Sequence, residues 1–290
     1  MKHGINILFR YLFLVTLFAC EGDVLPEPQD NLVVEGWIED GNFPVVMLTR
    51  NVPLSDSYQD IDDLGKYLVR WAKVSVSDGT DTVVLTGMYQ SNYYPPYIYT
   101  TGRMRGQAGK TYHLTVEYDD YYATASTTIP ASVPLDSVVV VPSSDSDTLY
   151  QLNAYFNDNP TTKDYYILFT NVNRISRQSF ISYMGYVDDA LLAGSHVTIP
   201  VYRGRVLSDD DYNPFFSITD TVEVRLAHTD EATFNFWSDV QTSVSFSTNM
   251  FMPVMTNVRS NVEGGIGYWA GYGLSRRIVV VGDEVRGRGL

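Results

Sequence analysis

KTYHLTVEY, residues 110–118, alternates along its whole length. Tyr112, Leu114, Val116 and Tyr118 face one way while His113, Thr115 and Glu117 face the other, the period of two that a strand with one buried side requires. Gly109 precedes the run, Asp119-Asp120 turns the chain, and Tyr122 to Ile129 returns as the second arm of a hairpin.

The same reading extends outward on both sides. Upstream, Leu32 to Ile38 is a β-rich run closed by the turn cluster Glu39-Asp40-Gly41-Asn42, and Pro44 to Thr49 is a second strand. Val69 to Ser77 is a third, with Ala72, Val74 and Val76 on one face; Asp78-Gly79 then turns it into Thr82 to Thr86, a hairpin signal. Tyr97 to Thr101 adds a short strand. About seven short strands in some 100 residues, with no convincing helix, define an immunoglobulin-like β-sandwich over residues 31–130. Tyr112, at the start of its strand, occupies the place of the tyrosine corner in such sandwiches. An orthogonal small barrel is the alternative arrangement.

Downstream, Pro130-Ala131-Ser132-Val133-Pro134 is a proline-bracketed hinge, and a larger β-rich C-terminal domain is expected over residues 131–290. Ser137 to Val141, Thr148 to Phe156, Asp164 to Asn173 and Val222 to Leu226 carry strand periodicity, as does the apolar run Arg277 to Val281. The pattern breaks over Thr229 to Val240. There Asp230 is suited to an N-cap, Glu231 to the first turn, and Phe234 and Trp237 stand at helical spacing, so one short helix of one or two turns is expected. The fold class is all-β, and no internal repeat marks a solenoid or propeller.

Composition narrows the function. A formal net charge of −14 without any basic stretch argues against a nucleic-acid partner. The four histidines are scattered as His3, His113, His196 and His228. The nearest approach to a metal motif, His228-Thr229-Asp230-Glu231, lacks a second histidine at helical spacing and reads better as capping and packing. Asp60-Ile61-Asp62-Asp63-Leu64-Gly65 begins like a calcium loop, but Leu64 and Trp71 stand where ligands belong. Asp209-Asp210-Asp211 reads as a solvated loop, with a hard-cation site as the alternative. No phosphate-binding glycine loop, nucleophile elbow or dinucleotide fingerprint is present, and no enzymatic activity or cofactor is expected.

The first 23 residues, MKHGINILFRYLFLVTLFACEGD, have Lys2 and Arg10 ahead of an apolar run from Tyr11 to Ala19. This is the layout of a secretory signal over residues 1–19, and it is shorter than the ~20 apolar residues that span a bilayer. Cys20, the only cysteine, follows Ala19 directly. That arrangement resembles the lipobox of bacterial lipoproteins, in which the cysteine is acylated and becomes the mature N-terminus; an ordinary signal peptide containing a cysteine is the alternative. Residues 20–30 then read as a lipidated, proline-containing tether. Glu21 and Asp23 resemble the acidic export signal of Bacteroidetes-type surface lipoproteins, although two acids in a solvated tether need no such role.

Aromatic clusters are the stronger functional lead. MYQSNYYPPYIYTTG, residues 88–102, sets Tyr93, Tyr94, Tyr97 and Tyr99 around Pro95-Pro96. Adjacent prolines exclude a helix and favour extended backbone, so these tyrosines are candidate binding residues; the same composition suits a loop packing over the sandwich edge. SNVEGGIGYWAGYG, residues 260–273, is dense in glycine and aromatics, which implies tight turns and close backbone approach.

The lipobox, LVVEGWIEDG at 32–41, AGKTYHLTV at 108–116 and SNVEGGIGYWAGYG at 260–273 occur in one order. Together they resemble the Bacteroidetes lipoproteins grouped as domain of unknown function 4249. The resemblance carries no catalytic residues. It implies an outer-membrane protein, lipid-anchored and facing the extracellular side, that serves as accessory or binding subunit of a TonB-dependent outer-membrane receptor, with a small nutrient as a potential ligand. An adhesin or envelope-structural lipoprotein without a transporter partner is the alternative. A hydrolase with an unrecognised carboxylate site has no positive sign.

Overall fold

Alternation in the sequence becomes pleat in the computed structural model, which describes residues 31–51, 65–143, 146, 148–174, 179–188, 196–204, 212–247 and 258–288, with backbone alone at 244–247 and 288. The signal segment, Cys20 with Glu21, Asp23 and the tether, Asp60 to Leu64, and Asp209-Asp210-Asp211 lie outside the described residues. The first half contains β1 (Leu32–Glu39), β2 (Val45–Arg50), β3 (Lys73–Ser77), β4 (Thr82–Val84), β5 (Thr86–Tyr89), β6 (Tyr97–Thr100), β7 (Thr111–Tyr118) and β8 (Tyr121–Thr128). The second contains β9 (Leu135–Pro142), β10 (Leu149–Asn157), β11 (Tyr165–Val172), β12 (Phe180–Asp188), β13 (His196–Val201), β14 (Phe216–Ser217) and β15 (Thr221–Thr229). These are followed by helix α1 (Glu231–Ser247), β16 (Val262–Glu263), β17 (Ile266–Val280) and helix α2 (Val281–Arg288). The chain is all-β with helical additions.

β1, β2, β6 and β5 are neighbours in one sheet and β8, β7, β3 and β4 in another. This two-sheet order is that of an immunoglobulin-like sandwich. The inward residues of β7, namely Tyr112, Leu114 and Val116, meet Val34, Val46 and Leu48 from the opposite sheet in one core. The tyrosine corner is formed: the Tyr112 hydroxyl accepts the Gln107 N–H at 2.9 Å and donates to the Arg105 carbonyl at 3.2 Å. Two strands differ from the sequence pattern for identifiable reasons. The run Thr82 to Thr86 breaks at buried Leu85 because the chain changes sheets there, pairing first with β3 and then with β6. β3 begins only at Lys73 because phenols take the preceding backbone groups. The Tyr99 hydroxyl accepts the Ala72 N–H and donates to the Val69 carbonyl, and the Tyr97 hydroxyl donates to the Arg70 carbonyl.

Two main cores form, but the first draws Val262 and Trp269 from beyond the expected boundary near residue 130. Leu152, Phe156, Tyr166, Phe216, Val222 and Leu226 belong to a second cluster, which Val281 and Val285 of α2 help to close. Residues 31–290 nevertheless form one compact unit. The connection is β17. Its Ile266 to Tyr272 portion runs parallel to β1, from Val33↔Ile266 to Glu39↔Tyr272, and its Gly273 to Val280 portion runs antiparallel to β15. One eight-stranded sheet of order β12-β11-β15-β17-β1-β2-β6-β5 results. The glycine-rich stretch is therefore mostly strand, with its turn confined to Gly264-Gly265. Asn261 completes it from the side, its amide donating to the Trp269 carbonyl at 2.8 Å and its oxygen accepting the Trp269 N–H at 2.9 Å.

The expected helix starts where anticipated. Asp230 caps it, accepting the Thr233 N–H at 2.8 Å on one oxygen and the Thr127 hydroxyl at 2.7 Å on the other. It continues for 17 residues rather than one or two turns. Tertiary packing supplies the reason: Phe234 lies on Tyr165, and Phe236 and Trp237 lie on Tyr268, with ring centroids 5.1, 4.7 and 5.2 Å apart.

The β3–β4 turn carries a pH-dependent contact. Asp78 accepts the N–H groups of Asp81 at 2.8 Å and Thr80 at 3.0 Å, and Lys110 lies 3.0 Å from its other oxygen. The Asp81 N–H foremost, then Lys110, holds its carboxyl down at about 2, against an ordinary value of 3.8. A depressed folded-state value means that this contribution to stability is complete above the ordinary value and is lost as pH falls from 3.8 through about 2. A carboxyl-carbon NMR titration should give Asp78 a midpoint near 2; a midpoint at the ordinary value removes the contact from the acid stability of this hairpin.

Candidate functional site

Glu35-Gly36-Trp37-Ile38-Glu39 lies in β1, so Glu35, Trp37 and Glu39 project from one face, successive members about 7 Å apart along the strand. Gly36 and Ile38 turn inward to the sandwich core. The outward face opens into a cleft of about 700 Å³, within the range of small-molecule sites. Trp37 is the middle of its floor. On one side stand Val45, Met88 and Ile98 from β2, β5 and β6; on the other stand Tyr272 and Leu274 from β17, Phe169 from β11 and Trp237 from α1. The Trp37 indole N–H has no protein acceptor among the described residues.

Polar groups mark both ends. At one, the Tyr268 hydroxyl donates to Glu35 Oε1 at 3.0 Å. Burial, and then the neighbouring Glu35 charge, raises that phenol well above its ordinary range, so it remains a neutral donor. Burial likewise raises Tyr272, whose oxygen accepts the Trp237 indole N–H at 3.2 Å. At the other end, Arg225 Nη2 donates to Glu39 Oε1 at 2.8 Å and Asn42 Nδ2 donates to Glu39 Oε2 at 2.9 Å. Arg276, an exposed residue, stands 3.7 Å from Glu223. Glu39 and Arg225 come from opposite halves of the chain and meet only because β17 lies between their strands.

The loop tyrosines separate into different roles. Tyr93 reaches the cleft, its ring 6.4 Å from that of Trp37. Tyr94 is half-buried beside it in sequence and is not part of the lining. Tyr97 is half-buried and edge-on to Tyr99, with ring centroids 5.6 Å apart. Tyr99 is a core residue, 2 % exposed, with its hydroxyl value pushed up to about 12 chiefly by burial. The loop is not extended around its prolines: Gln90 N–H bonds the Pro96 carbonyl and Tyr93 N–H the Gln90 carbonyl, so it folds into a turn over the sheet. Alternation decides the split, since Tyr97 and Tyr99 share the inward face of β6 while Ile98 takes the outward one.

The residues around His228 do not converge on a metal. Its Nδ1 lies 2.7 Å from the Ala131 carbonyl and its Nε2 3.2 Å from Asp164, while Asp230 caps α1 and Glu231 pairs with Lys163. Among the described residues no cluster of three or more potential His, Cys, Asp or Glu ligands occurs. His113 and His196 are exposed on β7 and β13. No helix among the described residues is long and apolar enough to cross a membrane.

Sandwich, bridging strand and cleft define an all-β protein whose longest sheet carries one aromatic, charge-ended depression. A sequence model described as domain of unknown function (DUF4249) matches residues 21–277, and the chain belongs to that family. No curated protein matches the chain.

Proposed function

We propose that this protein is a surface-exposed outer-membrane lipoprotein, anchored through Cys20, that acts as the accessory or binding subunit of a TonB-dependent nutrient receptor. The observation that carries the binding role is the Trp37 cleft, a side-chain-lined depression of ligand size on a sheet face, bordered by Trp237 of α1. The anchor reading rests on the apolar run ending at Ala19 and on the single cysteine after it. Two or more acyl chains, at ~0.8 kcal/mol per buried methylene, hold a protein to a bilayer without any spanning helix.

A mild-detergent pull-down of tagged protein from its own membranes, followed by mass spectrometry, tests the partner. A stoichiometric TonB-dependent barrel is the expected companion. A clean monomer even after crosslinking overturns the receptor reading and leaves an adhesin or envelope-structural lipoprotein. The anchor has its own test in the same cells: mass spectrometry of the mature N-terminus should find an acylated Cys20, and an unmodified cysteine there counts against acylation.

A further inference from the structure

The cleft also constrains what it takes, on the reading that it is the ligand site. Its floor is the side-chain face of β1, a strand already paired on both sides by β2 and β17, so no backbone edge is offered for an added peptide strand. The Arg225 guanidinium is engaged by Glu39 and by Ser179 at 3.4 Å, which leaves little for an anion. The lining carboxylates Glu35, Glu39 and Glu223 are offset by Arg225 and Arg276 to within one charge, so a strongly cationic ligand is not favoured either. An apolar ligand would strip water from those charged ends and return no hydrogen bond. What remains is a neutral molecule with flat apolar faces and a rim of hydroxyls. Each engaged carboxylate oxygen retains a second lone pair for a hydroxyl donor, and Asn42 and Gln90 add amide donors and acceptors on the lining.

We infer that the Trp37 cleft binds a short neutral oligosaccharide, one sugar ring face lying on the Trp37 indole beside Tyr93 and hydroxyls bonding towards Glu35 at one end and Glu39 at the other. The aromatic pair supplies area and a polarised face for C–H groups. The Tyr268 and Arg225 bonds hold the two carboxylates in place before the ligand arrives.

Purified full-length protein in detergent, without any receptor, can be applied to an array of neutral hexose and pentose oligosaccharides printed beside sialylated and sulfated glycans and random tetrapeptides. Retention by neutral glycans is expected, with Trp37→Ala weakening it by about tenfold or more and Glu35→Gln by several-fold. Should Trp37→Ala fail to fold, NMR of the native protein replaces it. The chain has four tryptophans, and titrating the retained glycan should shift the Trp37 indole N–H signal far more than that of Trp71 or Trp269. Retention of tetrapeptides or charged glycans alone, no retention at all, or binding indifferent to Trp37 overturns the sugar assignment. Because no receptor is present, these outcomes are independent of the pull-down: a missing barrel leaves the glycan result standing, and a peptide-only result leaves the cleft a binding site of another class.

Discussion

Trp269→Ala should lower the unfolding free energy by about 4 kcal/mol, or roughly 10 °C in melting temperature for a chain of this size. Trp269 is fully buried between the two sheets of the sandwich. Its indole N–H donates to the Tyr112 carbonyl at 3.0 Å, tying the glycine-rich strand to the tyrosine-corner strand. Gly36 makes the room: a Cβ there would stand 2.8 Å from the indole ring. Truncation leaves a cavity that β1 and β7 cannot fill without breaking their own ladders, and the apolar transfer energy is lost as well. Trp269→Phe separates the two contributions. It keeps most of the ring and loses the hydrogen bond, and should cost about 1–2 kcal/mol. Urea unfolding of the three proteins checks both values, and equal stability of Trp269→Ala and the native chain would remove this residue from the sandwich's core energetics.

A second large effect is expected at Gly267. Its φ is +119°, where L side chains are strained, and it is paired with Val34 in the parallel ladder of β1 and β17. An added Cβ would fall on the Val34 carbonyl, a backbone atom that cannot swing aside. Gly267→Ala should therefore cost about 3 kcal/mol or more, combining backbone strain with separation of the two strands. Gly109 is the control. It also has positive φ, at +83°, but an added Cβ meets nothing within 4 Å, so Gly109→Ala should cost only about 1 kcal/mol. The difference in denaturation midpoint between the two variants measures the obstruction. If both fall equally, the close approach of β17 to β1 carries no energetic weight.

The sandwich was legible because its signals are local. Alternation in Lys110 to Tyr118, the aspartate-glycine turn at 78–79 and the position of Tyr112 each depend on a few neighbouring residues, and each recurs in the structure. The helix start was legible for the same reason, through Asp230; its length was not, because that depends on aromatic neighbours in β11 and β17. The bridging strand was partly hidden behind its own glycines: they announce the close backbone approach that β17 makes, but their density also reads as turns where the chain runs on as strand. The candidate site was half legible. Glu35, Trp37 and Glu39 share a face by simple alternation, a signal present in LVVEGWIEDG but weaker than that of the tyrosine-rich loop. Nothing local announces that Arg225 and Tyr268 lie beside them, since pairing at such sequence distance leaves no mark in either segment.

β17 also sets a temporal order on the molecule. Val33 finds its parallel neighbour at Ile266, so a chain emerging amino end first holds the flank of its earliest strand open until its last strand has appeared. Loop closure over that span is entropically costly and delays native pairing. Trp269 and Val262, both members of the first core, are absent from any fragment that stops at the residue 130 linker. The molecule thus has a built-in check on completeness: a prematurely ended chain lacks the clasp for both halves and exposes apolar surface to whatever disposes of unfinished proteins.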